Sequence, residues 1–383
     1  MLVWARERAG FDVRSAAGKL KQEEERIEAW EAGKRKPTLV QARRMAEVYK
    51  KPLAVFFLPE PPKGFDVLRE YRRLAGPIKD ASPDLRIALE FAEERRELYI
   101  ELAQQLGMDL PAFQGKARLK EDPEKVAARL REYLGVSWEN QRGWQNPFTA
   151  FSAWRDAAEI CGVIVFQASG IDVEEMRGVV IPTDLAPVVL LNSSDAPTAR
   201  IFSLLHELAH LWLLNGGYSP DGPTRKRKLT DQPAEVFANA VAAAALLPRK
   251  SILADPDFDR AAASLPGDML PLRVVARRYS VSAEVIARRM VSLERMQERE
   301  YRRMRDKAAF APLAKKEEGG FAPPHILALS RAGRSFSRLV FEAWHRGQLP
   351  TNRLADLYGY KLPTLRKIDA ELQRRPMSTT AGA

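Results

Sequence analysis

The sequence predicts an α+β protein, mostly helical, with one small sheet. Three observations carry that reading. Apolar residues recur at helical spacing over long stretches, as in Leu39, Ala42, Met45, Ala46 and Tyr49, or Leu85, Leu89, Ala92, Tyr99, Leu102 and Leu106. Short, β-branched, turn-bounded runs occur close together at Val163 to Phe166, Gly178 to Ile181 and Pro187 to Leu191. Proline and glycine break the remainder into short helices.

Size and charge bound the answer. The chain has 383 residues, 45% hydrophobic and 29% charged, as in a globular protein of two or three domains that needs no disulfides. The single cysteine, Cys161, excludes an intramolecular disulfide and sits in an apolar run, where it reads as a buried structural thiol. A reducing cytoplasm fits that usage. The N-terminus becomes charged at once, and no run of about 18 apolar residues occurs, so neither secretion nor a membrane partner is expected. The net charge of +11 permits an acidic partner such as nucleic acid, and equally describes a basic solubilising surface.

In chain order, Val13 to Leu20 reads as a helix. Glu23 to Ala32 is the next, stopped by Gly33. After the basic turn from Lys34 to Thr38, Leu39 to Tyr49 follows, and Pro59, Pro61 and Pro62 mark a boundary. Ser82-Pro83 starts a long helix that Gly107 stops. Phe151 to Ile160 is helical and leads into the three strands. Two helices come next, Pro197 to Leu214 and Pro233 to Leu246, joined by a loop carrying the basic run Arg225 to Lys228. Leu270 to Leu293 reads helix, turn, helix, and Glu294 to Lys307 is expected to extend the last of these. Ser335 to Leu372 reads as a C-terminal helical unit, and neither His345 within it nor His325 before it has metal spacing. The expected division is 1–60, 61–147 as a helical connector, 148–305, a linker at 306–324, and 325–375.

The chemistry concentrates at His206-Glu207-Leu208-Ala209-His210. Residues four apart on a helix share a face, so both imidazoles can bind one ion. Glu207 then stands where a general base toward a water at that ion must be. Only 4 histidines occur in the chain, which makes this spacing hard to dismiss as ordinary helix composition. Zinc needs a third protein ligand, and Glu235, near the start of the following helix, is the choice; taken alone it would be an acid favoured by the helix dipole. Asp221 and Asp231 are alternatives in or beside the loop. Asn239 shares the face of Glu235 and is placed to hydrogen-bond a ligand or substrate. Imidazole ligands make Zn2+ the default ion, with Mn2+ an alternative.

The run from Asn192 to His210, with Arg200-Ile201-Phe202-Ser203-Leu204-Leu205 before the histidine motif, then Glu235-Val236-Phe237-Ala238-Asn239-Ala240-Val241-Ala242, resembles the ImmA/IrrE metallopeptidases over roughly Phe151 to Leu293. The resemblance implies a zincin-like, gluzincin-type peptidase domain with His206, His210 and Glu235 as ligands and Glu207 as base. It further implies an intracellular endopeptidase that cleaves a repressor protein at a specific site. The strand from Pro187 to Leu191 is expected to offer an edge to an extended substrate. Tyr218 is a candidate for stabilising the oxyanion.

The opening helices, with Arg26-Ile27-Glu28-Ala29-Trp30-Glu31-Ala32-Gly33 before the basic turn, resemble the XRE/Cro-type helix-turn-helix over about the first 58 residues, with a clipped first helix. That resemblance implies double-stranded DNA as a partner, read by Gln22 and Arg26 with Lys34, Arg35 and Lys36 on phosphates. The acids Glu23, Glu24 and Glu25 oppose it, since phosphate neutralisation dominates affinity. Two functions follow. One is a regulatory zinc endopeptidase whose substrate is a DNA-binding repressor. The other is a non-proteolytic helix-turn-helix regulator or antitoxin-like protein with a structural or vestigial metal site. A digestive protease is a poor fit to a chain with no secretion signal.

Overall fold

The computed structural model describes residues 1–51, 53–60, 81–144, 146–218, 233–310 and 322–374. Among these lie 19 α-helices and one three-stranded sheet, the mostly helical α+β composition expected. No described helix is long and apolar enough to cross a membrane. The chain divides into two compact units, Met1–Arg95 with Gly170–Met176, and Arg96–Ser169 with Arg177–Ala383.

The smaller unit begins with α1 (Leu2–Arg8), α2 (Val13–Leu20), α3 (Glu24–Glu31) and α4 (Leu39–Tyr49), then a 3-10 turn at Leu53–Phe57. Local chemistry sets the ends. Asp12 accepts from the Ser15 N–H at 2.7 Å to cap α2, and left-handed Lys21 ends it. Thr38 and Gln41 form a reciprocal capping box on α4. Phe11, Ile27, Trp30, Met45 and Tyr49 fill the core. Arg6 grips Glu31 with two bonds, at 2.7 and 2.9 Å, which fixes α1 to α3. The first part of α5 (Pro83–Gln105) joins this unit through Glu90, whose buried carboxylate meets Arg8 and Lys51, each at 2.6 Å.

The larger unit continues from the second part of α5 with α6 (Pro123–Tyr133), α7 (Trp138–Gly143) and α8 (Pro147–Ile160). The strands are β1 (Ile164–Ala168), β2 (Gly178–Ile181) and β3 (Val188–Asn192). Their order is β1-β3-β2, with β1 parallel to β3 and β2 antiparallel to it. This corrects the expectation that the strand from Pro187 to Leu191 presents an edge. That strand is β3, every residue of it is buried, and partners pair with both its sides. A run apolar on both faces marks a central strand.

Helix α9 (Pro197–Asn215) packs on β2 and β3, and α10 (Pro233–Leu246) lies along both α9 and α6. Then come α11 (Arg249–Leu253), α12 (Pro256–Ser264), α13 (Leu270–Arg278), α14 (Ala283–Ser292) and α15 (Glu298–Asp306). The charged stretch after α14 does not extend it. Glu294 is left-handed (φ 61°), so the helical run stops there. Helix α15 then buries Tyr301 and Met304, with the Tyr301 hydroxyl donating to Glu284 at 3.0 Å. Last are α16 (Pro324–Ala332), α17 (Arg334–His345), α18 (Thr351–Tyr358) and α19 (Leu362–Arg374). His345 lies 3.1 Å from Asp369. Helices α8 and α16 pack against β1. Pro61, Pro62, Asp221, Asp231, the run Arg225 to Lys228 and most of the expected linker lie outside the described residues.

Candidate metal centre

The site starts with the composition of α9. Ile201, Leu204, Leu205, Leu208, Leu211, Trp212 and Leu213 are buried, so the helix is fixed on most sides. One half-buried stripe remains, Phe202, His206, His210 and Leu214, at successive turns. Opposite, α10 turns small residues inward, Ala234, Ala238, Ala242 and Ala245, which allows close helix contact. Glu235 falls in the first turn of α10, where the helix dipole favours a carboxylate.

These helices bring three predicted side chains together. The Nε2 atoms of His206 and His210 stand 3.0 Å apart. Glu235 places one oxygen 3.3 Å from His206 Nε2 and the other 3.1 Å from His210 Nε2. Among the described residues this is the group of His, Cys, Asp or Glu able to hold a metal ion, with all donor atoms within 4.8 Å of one another. A tetrahedral zinc with bonds of about 2.0–2.1 Å sets its donors about 3.3 Å apart. Two imidazoles and one carboxylate therefore fit zinc both in spacing and in chemistry.

Electrostatics support the same reading. Burial works to lower the pKa of His206, but hydrogen bonding to Glu235 and the charges of Glu207 and Glu235 outweigh it and raise it. Burial opposes ionisation of Glu235, yet its hydrogen bonds to both histidines hold its pKa well below the usual carboxylate range. The cluster thus binds a proton where it can bind a cation, and a metal ion competes with that proton. Nδ1 of His206 is buried without a hydrogen-bond partner.

Glu207 faces the sheet. It is 8% exposed, and burial raises its pKa against the opposing charges of His206 and His210. The Val180 backbone N–H hydrogen-bonds its carboxylate. A Cβ at Gly178 would come within 3.3 Å of Glu207 Oε1 and of Ser203 Cβ, so the bare backbone there makes room for the acid. Neither Gly178 nor Val180 was predicted as part of the site. No spacing rule links them to Glu207, because the contact is made through the tertiary fold. Asn239 is exposed one turn after Glu235, and its side chain influences His206. Tyr218 is half-buried; burial raises its pKa first, and the charge of Glu235 adds to the rise.

The predicted DNA-contacting residues all lie in the smaller unit. Lys34, Arg35 and Lys36 are exposed. Arg26 donates to Gln22 at 3.2 Å, so these two side chains hold each other. Glu23, Glu24, Glu25 and Glu28 are exposed alongside them.

His206, His210 and Glu235 thus form a group that could hold a metal ion, and the buried acid Glu207 adjoins His206 in the same helix. Residues 164–291 match the family Peptidase_M78, described as the IrrE N-terminal-like domain. The match supports the ImmA/IrrE family for this segment and suggests a peptidase of the zinc-dependent type. No curated protein and no solved structure matches the chain.

Proposed function

We propose that this protein is a zinc-dependent endopeptidase that regulates transcription or a stress response by cutting a DNA-binding repressor, or a similar protein, at a specific site. The observation that carries the proposal is the convergence of His206, His210 and Glu235 beside a buried Glu207. The three ligands would hold the ion. When bound, zinc acts as a Lewis acid and makes water acidic enough to react near neutral pH.

The other roles belong to side chains and backbone. Glu207, with its elevated proton affinity, takes the proton from the attacking water and passes it to the departing amide nitrogen. Asn239 steadies His206. Tyr218, close enough to sense the charge of Glu235, is the candidate donor to the oxygen that gains charge on the scissile carbonyl. An extended substrate can align on β2. The Asn192 N–H bonds the Arg177 carbonyl at 2.9 Å, so Arg177, Val179 and Ile181 turn their polar groups toward β3. The polar groups of Gly178 and the carbonyl of Val180 then point outward, beside Glu207, as an edge for β-augmentation, while the Val180 N–H stays on the Glu207 carboxylate.

The test compares zinc-loaded wild type with Glu207→Gln on candidate repressors. The wild type should cut at one site and the variant should not, with equal zinc content. If both fail while zinc and DNA binding persist, the non-proteolytic regulator reading takes over. For the first 60 residues we propose DNA binding through Gln22, Arg26, Lys34, Arg35 and Lys36, supported by the exposed basic turn. A gel shift that weakens with salt tests it, and absence of any shift at low salt would refute it.

A further inference from the structure

We propose that α17, α18 and α19 form a DNA-binding helix-turn-helix, with α19 laid in the major groove of double-stranded DNA. It goes beyond the peptidase reading and depends neither on it nor on the DNA contacts assigned to the N-terminal unit.

The local sequence builds the motif. Helix α18 ends at Tyr358 and α19 starts at Leu362, so three residues, Gly359, Tyr360 and Lys361, join them. A helix-turn-helix uses a link of that length, often with a glycine. Gly359 is left-handed (φ 68°), and its N–H bonds the Ala355 carbonyl at 2.8 Å, which ends α18 and turns the chain. Leu354 of α18 and Leu365 and Ile368 of α19 are fully buried, and α17 packs on both helices. The Trp344 indole N–H donates to Thr351 at 3.0 Å, and the Tyr358 hydroxyl donates to Ser337 at 2.8 Å. These two bonds tie the first and last residues of α18 to α17.

The outer face of α19 sets the partner's charge. Leu365, Ile368 and Leu372 turn inward, while Pro363, Arg366, Lys367, Ala370, Gln373 and Arg374 are exposed. The two acids of α19 are drawn away from that face. Asp369 lies 3.1 Å from His345, and the side chains of Asp369 and Glu371 are only 18% and 14% exposed. Arg353, Lys361, Arg366 and Lys367 are exposed, and their side chains form no ion pair or hydrogen bond among the described residues. A solvated helix commonly pairs its charges, as α15 does where Glu298 meets Arg302 at 2.9 Å. Helix α3 of the N-terminal unit exposes Glu24, Glu25 and Glu28. Phosphate neutralisation dominates affinity, so α19 suits a polyanion better than α3 does.

Shape selects duplex DNA among polyanions. A helix with its side chains is about 10–12 Å across, and the B-form major groove is about 12 Å wide. The deep, narrow major groove of duplex RNA cannot be read by side chains. Ala370 is small and lets the helix approach closely, Arg366 can donate twice to a guanine edge, and Lys367 meets a phosphate. Arg353 lies on α18, the helix that crosses the backbone in such motifs, and supplies a further phosphate contact.

The experiment uses the full chain carrying Lys34→Ala, Arg35→Ala and Lys36→Ala, so that the N-terminal basic turn does not contribute. Fluorescence anisotropy follows its binding to a labelled mixed-sequence DNA duplex of about 30 bp, near three helical turns. This protein should bind at low salt, with log K falling as log salt rises. Adding Arg366→Ala and Lys367→Ala should weaken binding about tenfold and flatten the slope by about 2. Adding Arg366→Lys and Lys367→Arg instead keeps the charge and should keep the slope. Adding Arg299→Ala and Arg303→Ala, which removes the same charge from exposed positions on α15, should leave both readings unchanged. Circular dichroism verifies that each variant folds. Three results overturn the proposal. They are no duplex binding at low salt, a slope that the α19 change leaves alone or the α15 change lowers equally, and a hairpin RNA or polyglutamate bound as tightly as the duplex.

Discussion

Among the described residues of the larger unit, two polar clusters, one buried and one half-buried, are each seeded by two residues four apart on one helix. On α8, Arg155 pairs with Glu159 at 3.0 Å. Arg155 also donates to the carbonyls of Val165 and Ser330. Glu159 accepts the backbone N–H groups of Arg334 at 3.1 Å and Ser335 at 2.8 Å, at the positive end of α17. There each charge meets its opposite within the protein. On α9, His206 and His210 aim Nε2 atoms at each other and at Glu235, and Nδ1 of His206 is left without a partner. Three groups able to donate lone pairs meet at one point. A cluster that closes on itself holds helices together, whereas one that converges without an internal cation is built to receive one.

If the two clusters differ in this way, substitutions in them should have separable effects on turnover, stability and zinc content. Glu207→Gln should lower turnover by about 10^2–10^4-fold while zinc content stays at the wild-type level, measured by single-turnover cleavage and elemental analysis. A loss of zinc instead would mean that the acid belongs to the ligand set. Arg155→Met should destabilise the fold by about 3–5 kcal/mol, since it leaves Glu159 buried without its partner. Denaturant unfolding reads this, and the folded variant should bind zinc as tightly as wild type.

Zinc itself should stabilise the protein by about 2.7 kcal/mol at a free concentration one hundred times Kd. Thermal unfolding with and without the ion checks it, and His210→Ala should remove the increment. The smallest effect is on pH. The pKa of Glu207 is raised above the ordinary 4.5, so the base form disappears as pH falls through that raised value. The acid limb of the pH–rate profile should therefore lie above pH 4.5 and vanish in Glu207→Gln. The same sign means that the native state holds more protons than the unfolded chain between 4.5 and the raised value. This group's share of stability falls as pH rises across that window.

The two clusters also mark what a sequence can disclose. His206 and His210 stand out because histidine is scarce and the motif is local. Arg155 and Glu159 have the same spacing but look like any charged pair on a helix. Their role depends on Ser330 and Ser335, which approach only in the folded chain. The three strands and most helices were legible from periodicity. Helices α1, α6, α7, α11 and α12 were overlooked, although for α6 Asp122 before Pro123, with Val126, Ala127 and Leu130, carried the signal. The separation of α15 from α14 hung on a left-handed Glu294, for which residue type gives no warning. The expectation of an edge at β3 failed because an apolar run does not reveal how many neighbours a strand has.

Anomalous diffraction at the zinc edge, on crystals of the zinc-loaded protein, decides whether His206, His210 and Glu235 share one ion. One strong peak per chain is expected, within bonding distance of His206 Nε2, His210 Nε2 and a Glu235 oxygen. Full zinc loading with the peak elsewhere, or with Glu235 turned away from it, would contradict a shared ion.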